Sequence, residues 1–250
     1  MKERTRWHSE RLGRDVTVVR WGTFGMPLLL FPTAGGDAEE IERFHMISTL
    51  AEHLEAGRIK IYSCDSVAGR AMVTEEGSPQ HRMWMMAQFQ DFVRWEVVPA
   101  IRADCRSEDI GIVTAGASIG AFQALAALCS HPDVFTAALC MSGTYDLDRF
   151  LEARPNDDFH RASPLHWLPG LADGPHLDLL RQRFVLLASG EGEAEDIGQS
   201  WRVADLLGGK GIPNRVDSWG PEWKHDWPLW RNMVHTYVPE LLPEVANAEE

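Results

Sequence analysis

Short apolar runs alternate with helical patterns along the whole chain. Short runs of consecutive apolar residues are typical of strands that are buried on both faces of a sheet. The strands predicted in this way are 16–20, 27–31, 59–65, 109–116, 136–143, 183–190 and 214–220. Apolar residues that recur every third or fourth position predict helices instead. The predicted helices are 41–57, 87–105 with an end or kink near Pro99, 119–129, 200–211 as far as its glycines, and 228–242.

Two stretches lack a clear period. Residues 66–86 contain glycines and Pro79, and we predict a loop there. Residues 147–182 are rich in proline, histidine and tryptophan, and we predict a small insertion over one end of the sheet. Because strands and helices alternate without a repeat or a linker, the chain is predicted to form one α/β domain over 1–250. Its central sheet should be mostly parallel, with helices on both faces joined by right-handed crossovers.

Composition and charge narrow the class of protein. With 44% hydrophobic and 24% charged residues, the 250-residue chain has the composition of an ordinary soluble globular protein. A formal net charge of -13 repels polyphosphate and anionic membrane surfaces, so we expect neither nucleic acid nor a membrane as partner. The first residues, MKERTRWHSERLGRDV, lack the apolar segment of a secretory signal, which favours a cytoplasmic location.

Cysteine and histidine spacing gives no sign of a metal site. The four cysteines, Cys64, Cys105, Cys129 and Cys140, form no C-x-x-C pair and are predicted to be free thiols, mostly buried. The ten histidines show no ligand spacing such as H-E-x-x-H. We therefore expect no metal ion.

A serine surrounded by small residues follows one of the buried strands. Gly116-Ala117-Ser118-Ile119-Gly120 has the G-x-S-x-G pattern, with a predicted strand before it and a predicted helix after it. A sharp strand-to-helix turn that exposes a nucleophilic serine needs such small neighbours. The alternative is that Ser118 only caps the helix and that the glycines let strand and helix pack closely. The strand and helix on either side, together with the residues that follow later in the chain, favour the nucleophile.

A serine hydroxyl is weakly acidic and needs a base before it can attack a carbonyl. His225 is the favoured base, because Trp223-Lys224-His225-Asp226-Trp227 lies between the last predicted strand and the last predicted helix. The other histidines lie within helices, before the sheet, or in loops where a surface or packing role is expected.

A carboxylate should orient the histidine and stabilise its charged form. The acidic loop 190–196, GEGEAED, follows strand 183–190 and offers several candidates. We prefer Glu193, which stands three residues after Gly190. Glu191 is the second candidate, and Asp146, after the preceding strand, is the third.

Backbone N–H groups are expected to stabilise the oxyanion of a tetrahedral intermediate. The first predicted donor is Ile119, directly after the serine. The second is Thr33 in Pro32-Thr33-Ala34-Gly35-Gly36, with Ala34 as the alternative. This loop has neither G-x-G-x-x-G nor G-K-[ST], so nucleotide binding is a poor competitor.

Together these segments resemble a known family. PTAGGD, AGASIGAFQAL, HPDVFTAALCMSGTYD, the acidic loop and the H-D-W-x-x-W stretch occur in an order similar to that of the esterase branch of the α/β-hydrolases. This branch includes esterase D-like enzymes, enterochelin esterase-like proteins and mycolyltransferases, and the resemblance spans roughly 25–240. It implies the α/β-hydrolase fold and a Ser-acid-His triad without a cofactor. The family's nucleophile then falls on Ser118, its base on His225 and its acid on Glu193 or a neighbour.

The resemblance implies action on a carboxylic ester through an acyl-enzyme. Transfer of the acyl group to an acceptor other than water, and a binding protein without catalysis, are the alternatives. Trp223, Trp227 and Trp84 are the candidate substrate-binding residues, since aromatic walls are common in ligand pockets. The expected partner is a small-molecule ester, and the sequence leaves a homo-oligomer open.

Overall fold

The computed structural model describes residues 1–242, which form layers of helices around one eight-stranded sheet. The strands are β1 Lys2–Ser9, β2 Arg14–Trp21, β3 Met26–Phe31, β4 Ile59–Cys64, β5 Ile112–Ala117, β6 Phe135–Met141, β7 Phe184–Ser189 and β8 Asn214–Ser218. Their order across the sheet is β1-β2-β4-β3-β5-β6-β7-β8. Pairing is antiparallel from β1 to β2 and from β2 to β4, and parallel throughout the rest. The predicted mostly parallel α/β-hydrolase sheet is confirmed.

Helices cover both faces of the sheet, as predicted. They are α1 Glu40–Arg43, α2 Met46–Thr49, α3 Ala51–Glu55, α4 Val67–Val73, α5 Pro79–Phe92, α6 Val98–Cys105, α7 Ile119–Ser130, α8 Asp157–Ala162, α9 Pro164–Trp167, α10 Pro175–Leu180, α11 Ile197–Gly209 and α12 Trp227–Tyr237. Side chains alternate between the two faces along a strand. In β3, Leu28 and Leu30 therefore pack with residues of α1 to α3 and α12, whereas Leu29 and Phe31 pack with residues of α4 to α7 and α11.

Three sequence predictions differ from the structure. The predicted helix 41–57 is three short helices, because His45 takes a left-handed conformation with φ of 67° between the first two. The predicted loop 66–86 contains α4 and the first turns of α5. Ser78 caps α5, and Pro79 occupies its first turn. β1 was not predicted, because its charged, exposed sequence has no apolar run.

Pro99 neither ends nor breaks the long helical region. Between α5 and α6 the chain forms a π-helical segment, Val93–Val97, just before the proline. The wider π-helical turn lets the helix continue although the proline has no N–H to donate. The predicted insertion 147–182 consists of α8 to α10 and short 3₁₀ turns.

In residues 1–242 no helix combines the length and the apolar character that a bilayer crossing requires. The predicted cytoplasmic location stays a prediction. So does the single domain over 1–250, whose residues 243–250 lie outside the described part.

Candidate active site

Ser118 stands in a strained turn between β5 and α7. Its φ is 57° and its ψ is -123°, a combination that side-chain-bearing residues rarely adopt. The turn is held by the backbone, since the Ser118 N–H donates to Met141 O at 3.0 Å and Ser118 O accepts from Thr144 N at 3.2 Å. The strand therefore delivers the serine at the carboxyl end of the parallel sheet.

The two glycines of the motif are required by close backbone approach. A Cβ on Gly116 would lie 2.2 Å from Gly120 O, and a Cβ on Gly120 would lie 2.6 Å from Pro32 O and 2.9 Å from Phe31 O. Any side chain at either position would push α7 away from the sheet. The glycines thus bring Ser118 close to the loop that follows β3.

The helix-cap alternative for Ser118 is not supported. Ser118 precedes α7, but its side chain makes no capping hydrogen bond to that helix. Within residues 1–242 the hydroxyl forms no hydrogen bond to another residue. Ser118 is partly exposed, so this hydroxyl is available to a ligand.

The carboxylate that faces His225 belongs to Glu195. Its Oε1 lies 3.5 Å from His225 Nδ1, and the Glu195 side chain is only 1% exposed. Ser142 Oγ donates to Glu195 Oε1 at 2.6 Å, and Ser189 Oγ donates to Glu195 Oε2 at 2.8 Å. Both carboxylate oxygens are therefore bound, and the buried charge has three partners.

Those partners determine how the carboxyl group titrates. Burial acts to raise its pKa, since a charge is poorly solvated inside the protein. The hydrogen bonds from His225 and the two serines outweigh burial, and the pKa of Glu195 lies below its ordinary value. The group is a carboxylate at neutral pH, as an acid that orients histidine must be.

The prediction that Glu193 is the acid is wrong on this geometry. The Glu193 side chain is 74% exposed and pairs with Lys224, and only its backbone carbonyl contacts the histidine, accepting from His225 N at 3.0 Å. Ala194, with φ of 64°, reverses the chain so that Glu195 turns inward. The second candidate, Glu191, accepts from Ser218 Oγ, and the third, Asp146, pairs with Arg202.

The acidic loop 190–196 and the loop that carries His225 approach each other closely at two glycines. A Cβ on Gly190 or on Gly192 would lie 2.5 Å or 2.4 Å from Trp223 O, and Gly192 N donates to that carbonyl at 2.9 Å. Asp226 then caps α12 by accepting from Trp227 N at 2.7 Å. His225 is thus held between a buried loop and the start of a helix.

The predicted oxyanion donor Thr33 is also corrected. Thr33 N already donates to Glu40 Oε2 at 2.7 Å, so it is not available to a substrate. The backbone N–H groups of Ala34 and Ile119 have no hydrogen-bond partner among residues 1–242. Of the two positions in this loop that the sequence offered, Ala34 is therefore the one whose N–H is available, as is that of Ile119.

The three candidate tryptophans occupy different surroundings. Trp227 stacks on Phe44, with ring centroids 4.3 Å apart and planes 3° from parallel, and also meets Trp230. Trp223 packs edge-on against Trp219, and its carbonyl contacts the acidic loop. The structure does not bring Trp84 to this cluster: Trp84 contacts His81 on α5 and is 37% exposed.

Sequence reasoning missed Ser142 and Ser189 as partners of the acid. β6 and β7 are neighbours in the sheet, and each is followed or ended by the same dipeptide, Ser-Gly. Two hydroxyls at adjacent strand ends indicate a shared acceptor, and this signal was available. The buried ring of Trp230, the last residue of the H-D-W-x-x-W stretch, meets His225 edge-on with centroids 5.1 Å apart.

The arrangement provides the parts of an acyl-transfer site. In the part of the chain that the structure describes, it offers a hydroxyl without a hydrogen bond at a strained turn, a histidine that faces a buried carboxylate, and two backbone N–H groups without a partner. Among residues 1–242, no cluster of three or more histidine, cysteine, aspartate or glutamate side chains has an arrangement that could hold a metal ion.

Comparison with known proteins shows the family of the chain. Residues 57–240 match the profile of a family described as Putative esterase. This match extends from β4 to the last turn after α12 and includes Ser118, Glu195 and His225. No curated protein matches the chain significantly.

Solved structures share the whole fold. A ferulic acid esterase has a TM-score of 0.75 at 16% identity, with 97% of this chain and 98% of that chain covered. An S-formylglutathione hydrolase from Agrobacterium tumefaciens has a TM-score of 0.69 at 12% identity, with 96% and 94% covered. A fluorophosphonate-binding serine hydrolase from Staphylococcus aureus has a TM-score of 0.67 at 14% identity, with 98% and 99% covered. Identities this low establish the fold.

Proposed function

Because the chain belongs to the Putative esterase family, we propose that it hydrolyses a carboxylic ester with Ser118 as nucleophile, His225 as base and Glu195 as acid. The oxyanion donors in this proposal are the backbone N–H groups of Ile119 and Ala34. The fold and the family support ester hydrolysis in general, and the roles of individual residues come from the geometry of the site.

One observation carries the proposal: a buried carboxylate faces Nδ1 of a histidine at the same sheet edge as a strained, unbonded serine. Short links connect the two ends of this arrangement. Thr144 N donates to Ser118 O, and Ser142, two residues earlier, donates its hydroxyl to Glu195. A histidine whose Nδ1–H donates to a carboxylate has its Nε2 free to accept a proton.

In the acylation step, Ser118 Oγ attacks the ester carbonyl carbon while His225 Nε2 takes the hydroxyl proton. The carbonyl oxygen gains negative charge, which the two backbone N–H groups stabilise. The C–O bond to the leaving alcohol then breaks, and the alcohol leaves with the proton from His225. Glu195 stabilises the positive charge that the imidazole carries between these events.

In the deacylation step, water replaces the alcohol. His225 removes a proton from water, the resulting hydroxide attacks the acyl carbon, and the bond to Ser118 Oγ breaks. The proton returns to the serine and the carboxylic acid leaves. Each proton moves only between His225 and groups bound beside it, so the chemistry needs no further cofactor.

Aromatic residues beside the histidine support an apolar or aromatic acyl or alcohol group in the substrate. Trp227, two residues after His225, is partly exposed and stacks on the exposed ring of Phe44. Trp223 is a second candidate wall, and Trp84 is the weakest of the three predicted positions. One structural neighbour is named a ferulic acid esterase, and ferulic acid is an aromatic acid.

Ser118→Ala tests the proposal directly. The wild type should hydrolyse short p-nitrophenyl esters and react covalently with a fluorophosphonate probe, and Ser118→Ala should do neither. Ser130→Ala, at the other end of α7, is the matched control and should retain both activities. Retained turnover in Ser118→Ala would remove this serine from the mechanism.

The same assay separates hydrolysis from acyl transfer. An added alcohol acceptor should leave the free acid as the main product if water is the natural acceptor. A predominant new ester would identify an acyltransferase with the same site residues.

A further inference from the structure

Glu40 is a buried carboxylate that the proposed mechanism does not use. It is the first residue of α1, only 8% exposed, and lies under the loop that carries Ala34. Its oxygens accept from Thr33 N at 2.7 Å and from Thr33 Oγ1 at 2.9 and 3.0 Å. Within residues 1–242, no lysine, arginine or histidine forms an ion pair with it.

Such a group is costly to bury. Burial acts to raise the pKa of Glu40, and the hydrogen bonds from Thr33 only partly offset this effect, so the pKa lies above its ordinary value. An apolar side chain would fill the same volume without losing hydration. The carboxylate is therefore better explained by what it holds in place than by a contribution to stability.

What it holds is the tight turn after β3. Thr33 O accepts from Gly36 N at 3.1 Å, while Glu40 binds the N–H and hydroxyl of Thr33 from the other side. The peptide between Thr33 and Ala34 is planar and trans, so its N–H points opposite to its C=O. With Thr33 O fixed toward Gly36, the Ala34 N–H is fixed in the opposite direction.

The surroundings leave the loop little freedom. A Cβ on Gly36 would lie 2.3 Å from Glu40 Oε2, and a Cβ on Gly69 would lie 3.0 Å from Ala34 O. Ser66 N donates to Gly36 O at 3.0 Å. On the opposite side, Gly120 packs on the carbonyls of Phe31 and Pro32, which lead into the turn. Glu40 thus links α1 to the turn after β3, which starts beside the strained turn at Ser118.

We infer that Glu40 is a positioning residue for the oxyanion site: it binds Thr33 so that the N–H of Ala34 faces the reacting carbonyl oxygen. This inference rests on the proposed function. It also explains why Thr33, the donor expected from the sequence, is not the donor itself. The residue acts on the reaction only through Ala34 and has no contact with substrate.

The experiment measures kcat and KM for a p-nitrophenyl ester in four variants. Glu40→Ala should lower kcat by about 10- to 100-fold, less than the loss of an oxyanion donor altogether, and leave KM within about threefold. Glu40→Gln keeps an acceptor for Thr33 N and should recover most of kcat, to within about fivefold of the wild type. Fluorophosphonate labelling of Ser118 should slow in parallel with kcat.

Glu96→Ala is the matched control. Glu96 is a partly buried glutamate that accepts from Trp7 Nε1 at 2.7 Å and from Ser9 Oγ at 2.9 Å, on the π-helical segment and away from the site. Its loss should lower the thermal midpoint and leave kcat unchanged. Thr33→Val removes the hydroxyl that donates to both oxygens of Glu40 and keeps the backbone N–H. It serves if Glu40→Ala does not fold, and should lower kcat by about three- to tenfold.

Two outcomes overturn the inference in different ways. If Glu40→Ala, or Thr33→Val in its place, folds and keeps the kcat of Glu96→Ala, Glu40 has no positioning role although the proposed function stands. If the wild type neither turns over an ester nor labels at Ser118, the proposed function fails and the inference fails with it.

Discussion

The side chains of Ser118 and Glu195 differ in the number of partners that they have. The Ser118 hydroxyl has no hydrogen-bond partner among residues 1–242, whereas the buried Glu195 carboxylate accepts from two serines and has His225 Nδ1 at 3.5 Å. In the proposed mechanism the free hydroxyl reacts, and the bound carboxylate orients His225. The two roles are therefore distinguishable by substitution.

Glu195→Gln should lower kcat by about 10³- to 10⁴-fold, because the amide keeps the volume but cannot stabilise the imidazolium charge. Glu193→Gln is the matched control, two residues away in the same loop. It loses only an exposed pair with Lys224 and should stay within about twofold of the wild type. Steady-state kinetics on one ester decide between them. A large loss in Glu193→Gln with little loss in Glu195→Gln would restore the acid expected from the sequence.

At this scale the sequence indicates candidate residues whose signal is local. Ser118 stands in a five-residue motif, and His225 lies in the loop that the order of elements indicates. Glu195 could not be chosen among four acids, because its inward direction depends on the left-handed Ala194 and on serines from two other strands. Thr33 failed for a similar reason: the carboxylate that binds its N–H is seven residues further along the chain.

At the scale of elements, the turn at Ser118 between β5 and α7 depends on how closely α7 approaches the strand ends. Gly120 lies in the first turn of this helix, and a Cβ there would meet the carbonyls of Pro32 and Phe31, which are backbone atoms with little room to move. The same contact joins the nucleophile to the Ala34 loop. Stability and catalysis should therefore fall together when it is disturbed.

Gly120→Ala should destabilise the protein by about 1–3 kcal/mol and also lower kcat, because α7 and the oxyanion loop must move apart. Gly209→Ala is the matched control at the end of α11, where a Cβ would meet nothing within 4 Å. It should change stability by less than about 1 kcal/mol, in the stabilising direction, because alanine favours helix. Denaturant unfolding and ester turnover measure both quantities. Equal stability of the two alanine variants would refute the packing argument.

Elements with an apolar pattern were predicted, and elements whose pattern is interrupted were not. β5 and β6 are buried on nearly every residue, so their runs are unambiguous. β1 pairs with β2 by its backbone and exposes charged side chains, which leaves no apolar signal. α4 and the first turns of α5 were missed because the glycines at 69 and 77 were interpreted as loop residues, although Gly69 lies inside α4, close to Ala34.

At the scale of the whole molecule, alternation of strands and helices was enough to predict a mostly parallel sheet covered on both faces. The antiparallel β1-β2 pair and the antiparallel joining of β2 to β4 could not be predicted in this way. The short connection from β1 to β2 allows only an antiparallel hairpin, but β1 itself carries no apolar run that would predict a strand. The sequence pattern also does not show that β2 pairs with β4 and not with β3, the next strand along the chain. The family match begins only at residue 57 and leaves β1 and β2 outside it.

The two packed faces also determine which thiols can react. Cys64, Cys129 and Cys140 are buried, and burial raises the pKa of each thiol well above its ordinary value. A thiol reacts as the thiolate, so these three should be inert in the native state. Cys105 is partly exposed, beside the hydroxyl of Tyr62.

A thiol-titrating aromatic disulfide should therefore react quickly with one cysteine of the native protein and with four after unfolding. Cys105→Ser should remove the fast native phase and leave three cysteines reactive in denaturant. Because Cys64, Cys129 and Cys140 lie in β4, α7 and β6, their protection reports on one face of the sheet from three elements. Fast reaction of a second native thiol would mean that this face opens without global unfolding, and the layered core would then not be one cooperative unit.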